Sequence, residues 1–288
     1  METGDRKQKA ESREKEAETA RREQKTARRK QETARQKQEA VTGKQKEKRR
    51  KKKKRKRAVM NTETGKKTMV KICGLRRPQD AEAANRILPD LAGFILSPGY
   101  GRSIEPAQAM TLRRILSPEI RTVGVFVDAS IAEIVKAAET GCINMIQLHG
   151  KEDDGCIREI AAMTGLPVIK AFRIGSRQDL ETAAASAAKW ILLDSGTGTG
   201  KRFDWDLLET FLHKRCGEIR DNLFPGGHRW LLAGGLSAEN VAAAIGRFCP
   251  TGVDVSSKVE TDGFKDPEKM AAFAAAARAG MIMHSEIQ

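Results

Sequence analysis

The sequence predicts an α/β fold, a closed (β/α)8 barrel over residues 68–288, preceded at 1–67 by a basic, low-complexity tail that reads as disordered or as a fluctuating helix. Three observations carry the barrel. From Met69 onward, eight short apolar runs alternate with eight helical patterns. The runs are continuously apolar, as strands buried on both faces are. About 220 residues hold them, a length that suits eight closed βα units better than a doubly wound open sheet, the runner-up architecture.

In chain order, the strand-like runs fall at 69–73, 92–96, 122–127, 145–148, 168–172, 190–194, 230–233 and 252–256. The helical patterns that follow each of them lie at 78–87, 106–116, 131–140, 152–163, 178–187, 205–214, 238–248 and 267–279. Pro106 suits a first helical turn, and Ser130, Ser237 and Asp266 stand where N-caps are expected. Residues 216–228, with the turn Phe224-Pro225-Gly226-Gly227, form a longer connection before the seventh strand. It should lie on the face away from catalysis.

The formal charge of +15 belongs to the tail. Residues 1–67 hold 27 Lys and Arg against 11 Asp and Glu, whereas the remainder holds 26 against 27. A heptad runs through Thr19-Ala20-Arg21, Thr26-Ala27-Arg28 and Thr33-Ala34-Arg35, with Gln24, Gln31 and Gln38 in step. Its only apolar residue is Ala, which buries too little surface to hold a coiled coil. The basic run at 49–57 has the charge to contact nucleic acid or an anionic membrane, but reads more simply as a solvated charge run. Met60 or Met69 is a second candidate start of the natural chain.

Cysteines at 73, 142, 156, 216 and 249 are odd in number and never spaced Cys-x-x-Cys, which fits a reducing, cytoplasmic setting. No apolar stretch is long enough to span a membrane, and the N-terminus has no secretory pattern.

Polar residues at the ends of apolar strands are costly unless they serve a site or are fully paired. Cys73 ends the first strand, Gln147 and His149 the fourth, Asp194 the sixth, and Asp254 lies in the eighth before Ser256 and Ser257. A thiol and a carboxylate so placed suggest acid and base work on a small substrate, although a free cysteine is more often an inert core residue and a histidine is often structural. Period-two alternation puts Lys71 with Cys73, and Gln147 with His149, on common faces. Lys71 and Asp254 can pair because the first and last strands are neighbours in a closed barrel; the pair is either structural or a source of positive potential that favours the Cys73 thiolate.

Ala233-Gly234-Gly235-Leu236 and Val255-Ser256-Ser257 follow strands seven and eight, where barrels commonly hold phosphate; Gly234, Gly235, Ser256 and Ser257 are the candidate donors. Gly196-Thr197-Gly198-Thr199-Gly200-Lys201 is one residue short of a P-loop, and Arg202 replaces its Ser or Thr, so a lid or substrate-contact loop beside Asp194 fits better than a nucleotide site. No metal-ligand spacing is present, and no metal or other cofactor is expected.

Together these residues resemble the phosphoribosylanthranilate isomerase family across residues 69–279. The resemblance rests on Lys71-Ile72-Cys73-Gly74-Leu75, Val125-Phe126, Ile146-Gln147-Leu148-His149-Gly150 and Leu193-Asp194. It continues through Gly198-Thr199-Gly200-Lys201, Phe203-Asp204-Trp205, Ala233-Gly234-Gly235-Leu236 and Val253-Asp254-Val255-Ser256-Ser257. It implies a TIM barrel carrying out an Amadori rearrangement in tryptophan biosynthesis, with Cys73 as general base and Asp194 as general acid. The partner implied is a small phosphosugar, without cofactor. Arg102, in Gly99-Tyr100-Gly101-Arg102-Ser103, matches the family's loop arginine and implies a fork for the anthranilate carboxylate; Gln147, His149 and Asp254 complete the implied substrate contacts. Lys258 stands where the family motif continues with glycine. A related isomerase of histidine biosynthesis resembles a two-aspartate design, which Cys73 argues against. A nucleic-acid-binding protein with a passenger barrel is the alternative of a different class.

Overall fold

The computed structural model describes residues 68–195, 204–213 and 223–285. The tail, the segment 196–203 with its glycine-rich run, and the part of the long connection at 214–222 lie outside the described residues.

Eight parallel strands close into a barrel: β1 (Met69–Cys73), β2 (Leu91–Ile95), β3 (Arg121–Phe126), β4 (Met145–Leu148), β5 (Val168–Arg173), β6 (Trp190–Asp194), β7 (Arg229–Leu232) and β8 (Gly252–Val255). The ring is completed by β8 pairing with β1, in a register that sets Lys71 opposite Asp254. The helices are α1 (Pro78–Ile87), α2 (Pro106–Ile115), α3 (Ile131–Glu139), α4 (Asp154–Thr164), α5 (Arg177–Ala185), α6 (Trp205–His213), α7 (Val241–Phe248) and α8 (Pro267–Ser285).

Strand alternation divides the core in two. Leu91, Val123, Met145, Ile169, Trp190, Leu192 and Leu231 form a cluster of strand residues alone, the filling of the barrel. The intervening residues Ile72, Phe94, Ile146, Ile191, Leu193 and Val253 pack outward on helix residues such as Ala84, Leu112, Leu180, Ile245 and Phe273. Because both faces are buried, the runs read as apolar throughout.

Caps end the helices where sequence reasoning looked for them, with one exception. Ser130 accepts from the Glu133 amide and Glu133 returns a bond to the Ser130 amide, a capping box at α3. The Asp266 carboxylate accepts from the amides of Glu268 and Lys269 at α8. The exception is Ser237. Residues 238–240 form a turn, and α7 starts only at Val241, because the Asn240 side chain accepts from the Ser237 amide and donates to the Gly235 carbonyl. The helix expected from residue 238 is shorter for that reason.

A further departure lies between β8 and α8. A short 3-10 helix (Ser257–Val259) leads into a hairpin of β9 (Glu260–Thr261) and β10 (Phe264–Lys265) that the periodicity did not reveal. Asp262 and Gly263 turn it with φ of 51° and 73°, the left-handed pair that a two-residue hairpin requires. Phe264 is held between the Arg76 and Arg77 guanidinium groups, 4.3 and 4.2 Å from its ring centre. The hairpin is thereby fastened to the loop after β1.

The described part of the long connection packs against the segment that leads into β6. The His228 ring nitrogens lie 2.8 and 2.9 Å from the carbonyl oxygens of Ala188 and Ala184, and Phe224 packs on Phe211 and Trp230. This is the strand-entry end of the barrel, as expected of a connection without a catalytic part.

Asp80 fixes the loop that follows β1. Its buried carboxylate accepts from the amides of Arg76 and Arg77, and from the Arg77 side chain. Asp80→Ala leaves those amides without their partner and is expected to cost about 2–3 kcal/mol. Thermal unfolding checks it, and an unchanged Tm would refute the assigned role.

Candidate active site

Period-two alternation turns the last inward side chains of the strands toward one mouth at their C-terminal ends. Lys71 and Cys73 come from β1, Gln147 from β4, Asp194 from β6 and Asp254 from β8, with His149 just beyond β4. The structure brings all six polar residues to this end of the barrel.

Lys71 is fully buried, and its Nζ lies 2.9 Å from Asp254 Oδ1. Burial disfavours the ammonium, but the Asp254 carboxylate and, after it, Cys73 outweigh the penalty and hold the lysine pKa above its ordinary value. Cys73 is 6% exposed, and its Sγ would be only 2.7 Å from a Cβ placed on Gly93, the residue paired with it on β2. Glycine at position 93 is what makes room for the thiol. Burial pushes the Cys73 pKa up; Lys71 and Lys265 oppose this without overcoming it, and Asp254 adds to it. Lys71 thus acts towards the thiolate, but desolvation is the larger effect and the net shift is upward.

Gln147 and His149 form a chain towards Asp194. Gln147 Nε2 lies 3.2 Å from His149 Nδ1, and His149 Nε2 lies 3.5 Å from Asp194 Oδ2. Gln147 Oε1 is buried without a hydrogen-bond partner among the described residues. The His149 loop is braced from below: the Lys170 ammonium donates to the Gly150 carbonyl and to Glu152, each at 2.7 Å, and Glu152 accepts from the amides of Asp128 and Gly150.

The two glycine-containing loops flank the same mouth. Gly234 and Gly235 have φ of 84° and 69°, and a Cβ on Gly234 would lie 2.5 Å from the Ser195 amide nitrogen. Only glycine satisfies both the backbone angle and the close approach. Ser256 Oγ donates to the Cys73 carbonyl at 3.1 Å, tying the loop after β8 to the end of β1. Ser257 and Lys258 are exposed at the start of the 3-10 helix.

Arg102 reaches the mouth from the loop after β2. Its Nε and Nη2 lie 2.7 and 2.8 Å from the two oxygens of Glu260, a bidentate pair. The Lys265 ammonium, almost fully buried, also pairs with Glu260 and donates to the Ser256 carbonyl at 3.0 Å. Burial disfavours the Glu260 carboxylate, but Arg102 and Lys265 outweigh it and hold its pKa below the ordinary value. Burial likewise lowers Lys265, with Glu260 opposing. Sequence reasoning missed Glu260 and Lys265. The Asp262-Gly263 turn signal between them was the feature able to find the hairpin that brings them together.

A cavity of about 430 Å³ lies elsewhere, on the outer side of β5 between α4 and α5, with Asp153, Asp154, Gln178 and Glu181 among its lining residues. It contains neither Cys73 nor Asp194. The mouth, by contrast, offers a buried thiol from β1 and a carboxylate from β6, three strands away round the ring, with glycine-shaped loops beside them. That arrangement suits proton transfers at two points of one small anionic substrate.

The family model for N-(5'-phosphoribosyl)anthranilate (PRA) isomerase matches residues 70–276. An N-(5'-phosphoribosyl)anthranilate isomerase of Lachnoclostridium phytofermentans is 40% identical over 214 residues, covering 72% of this chain and 96% of that protein. The crystal structure of phosphoribosyl anthranilate isomerase from Thermus thermophilus aligns with a TM-score of 0.64 at 31% identity, over 74% of this chain and 99% of that one. Another phosphoribosyl anthranilate isomerase, in complex with reduced 1-(o-carboxyphenylamino)-1-deoxyribulose 5-phosphate, aligns with a TM-score of 0.62 at 33% identity, over the same shares. With the match running through the whole barrel, from β1 into α8, the chain belongs to the N-(5'-phosphoribosyl)anthranilate isomerase family.

Proposed function

We propose that the barrel catalyses the Amadori rearrangement of N-(5'-phosphoribosyl)anthranilate to 1-(2-carboxyphenylamino)-1-deoxyribulose 5-phosphate, with Cys73 as general base and Asp194 as general acid. The enzyme is an intramolecular aldose–ketose isomerase of tryptophan biosynthesis. The observation that carries the roles is a buried thiol ending β1 and a partly exposed carboxylate ending β6, both turned to one mouth.

Asp194 donates a proton to the furanose ring oxygen, the C1–O bond breaks, and the anilino nitrogen shares its lone pair to give an iminium. The iminium acidifies the hydrogen on C2. Cys73 removes that hydrogen as thiolate, giving an enolamine, and protonation at C1 with loss of the enol proton gives the ketone. The iminium is itself a cation beside the thiol, so it eases the ionisation that burial resists.

His149 orients Asp194, and Gln147 in turn orients His149. Asp254 holds Lys71 beneath the base and faces the sugar. The amides at Gly234 and Gly235, with Ser256 and Ser257, take the phosphate, which the positive φ values of the two glycines support. Arg102 takes the anthranilate carboxylate. The relative crystallised with a carboxyphenylamino deoxyribulose phosphate supports this class of ligand.

Residues 68–288 are the catalytic domain, and 1–67 a separate tail that the reaction does not need. No helix among the described residues is long and apolar enough to cross a membrane. A cytoplasmic site of action is supported by cysteines without framework spacing, and nucleic-acid contact by the tail is not favoured.

The test follows the loss of fluorescence of substrate generated in situ. Full chain and residues 68–288 should turn over alike, and inactivity of both would overturn the reading. Cys73→Ser and Asp194→Asn should each lower kcat by roughly 10²–10⁴-fold while circular dichroism stays unchanged. Near-normal turnover in either variant would contradict its role.

The direction of the Cys73 shift predicts a pH dependence. A thiol held above the ordinary midpoint of about 8.5 is largely protonated in the free enzyme at neutral pH. Inactivation by iodoacetamide should therefore still be accelerating at pH about 9, and product should protect. A plateau below pH about 8 would show that Lys71 and Lys265 win over burial.

A further inference from the structure

Arg102 is a long side chain on a surface loop, yet its position is determined at both ends. At the root, the loop is tightened by Ser103, whose hydroxyl donates to the Ser97 carbonyl at 2.5 Å, and by Arg76, whose Nη1 donates to the Gly101 carbonyl at 2.8 Å. The stem then crosses Gly74, the residue after Cys73. A Cβ on Gly74 would lie 2.9 Å from Arg102 Cδ, so the absence of a side chain there opens the path. At the head, Glu260 takes Nε–H and one Nη2–H.

A guanidinium carries five N–H donors on a rigid plane. With the Nε–Nη2 edge engaged by Glu260, three donors remain, two of them forming a second fork on the Nη1–Nη2 edge. The side chain of Arg102 is 34% exposed, whereas Glu260 is 7% and Lys265 1% exposed, so the charge chain runs from the open mouth down into the protein. Lys265 anchors the lower end through the Ser256 carbonyl, and Ser256 is bonded to the Cys73 carbonyl.

We infer that Glu260 is a positioning residue for substrate recognition: braced by Lys265, it holds one edge of the Arg102 guanidinium so that the other edge receives the substrate's aromatic carboxylate. This deepens the proposed function and rests on that reading of Arg102. The ordering of a flexible arginine, which otherwise accompanies each binding event, is completed in the free enzyme. Two carboxylates then share one guanidinium, and the Arg–Glu–Lys chain, with a net charge of +1 when empty, becomes neutral when occupied. Its hairpin therefore serves specificity as well as structure.

The experiment uses the full chain and two substrates, the phosphoribosyl derivatives of anthranilate and of aniline, the second lacking only the carboxylate. Glu260→Gln should raise KM for the anthranilate derivative about tenfold with kcat within about threefold, and leave KM for the aniline derivative nearly unchanged. In an Arg102→Met background, Glu260→Gln should add little, because the group it positions is gone. Glu260→Gln leaves Lys265 buried without its carboxylate, so the pair Glu260→Gln with Lys265→Met is also made. It should reproduce the carboxylate-confined rise in KM with no unpaired charge inside. Equal penalties on both substrates, an unchanged KM, or full additivity with Arg102→Met would overturn the inference and leave the isomerase assignment standing. If Arg102→Met alone fails to discriminate the two substrates, the reading of Arg102 itself falls, and this inference with it.

Discussion

The interior of the barrel is hydrocarbon interrupted by charge. Leu91, Val123, Met145, Trp190 and Leu231 form an apolar cluster inside the ring, and Lys71 stands in register with Leu91. At the seam where the last strand meets the first, Lys71 and Asp254 face each other instead, paired in register and at 2.9 Å. A buried ion pair of this kind contributes little to stability relative to an apolar pair of equal volume, while loss of either partner alone leaves a buried charge without compensation. The pair therefore constrains both strands together. Cys73 lies two residues beyond Lys71, and Ser256 two beyond Asp254, so closure at this point sets the thiol and the loop after β8 at one height.

The remaining charges at the mouth are also arranged in compensated chains rather than left to solvent. Lys170 and Glu152 brace the loops after β3 and β4, and Lys265, Glu260 and Arg102 brace those after β8 and β2. Polar groups fixed in this way need little reorganisation when substrate charge arrives, which is where an active site gains most over water. The same principle accounts for the glycines at the mouth. Gly93 and Gly234 stand where a side chain would displace the thiol or the Ser195 backbone, so their role is to let other groups approach.

Much of this was legible before any coordinates. Mainly apolar runs marked all eight strands, because a parallel strand buried on both faces has few positions for polar side chains. Their ends were displaced by a residue at β2, β3, β5, β7 and β8; Arg121, Arg173 and Arg229 join the ladder through backbone bonds that hydrophobicity does not report. Polar residues closing apolar strands marked Cys73, Asp194, Gln147, His149 and Asp254 by the same logic in reverse. Asn240 as the residue that delays α7, and the two-residue strands β9 and β10, escaped because elements so short carry no periodicity.

By itself, then, the sequence determined the alternation of strand and helix, the face on which each strand residue lies, and the set of polar groups at the strand ends. These follow from local stereochemistry and from the burial of apolar surface, both readable along the chain. Beyond the Lys71–Asp254 pair, only the tertiary structure decided which charges meet and how burial weighs against them. Arg102 meets Glu260 across 158 positions, and burial pushes the Cys73 thiol pKa up although Lys71 and Lys265 oppose it. Coulomb attraction and desolvation act through space, and their balance depends on what surrounds a group rather than on what precedes it.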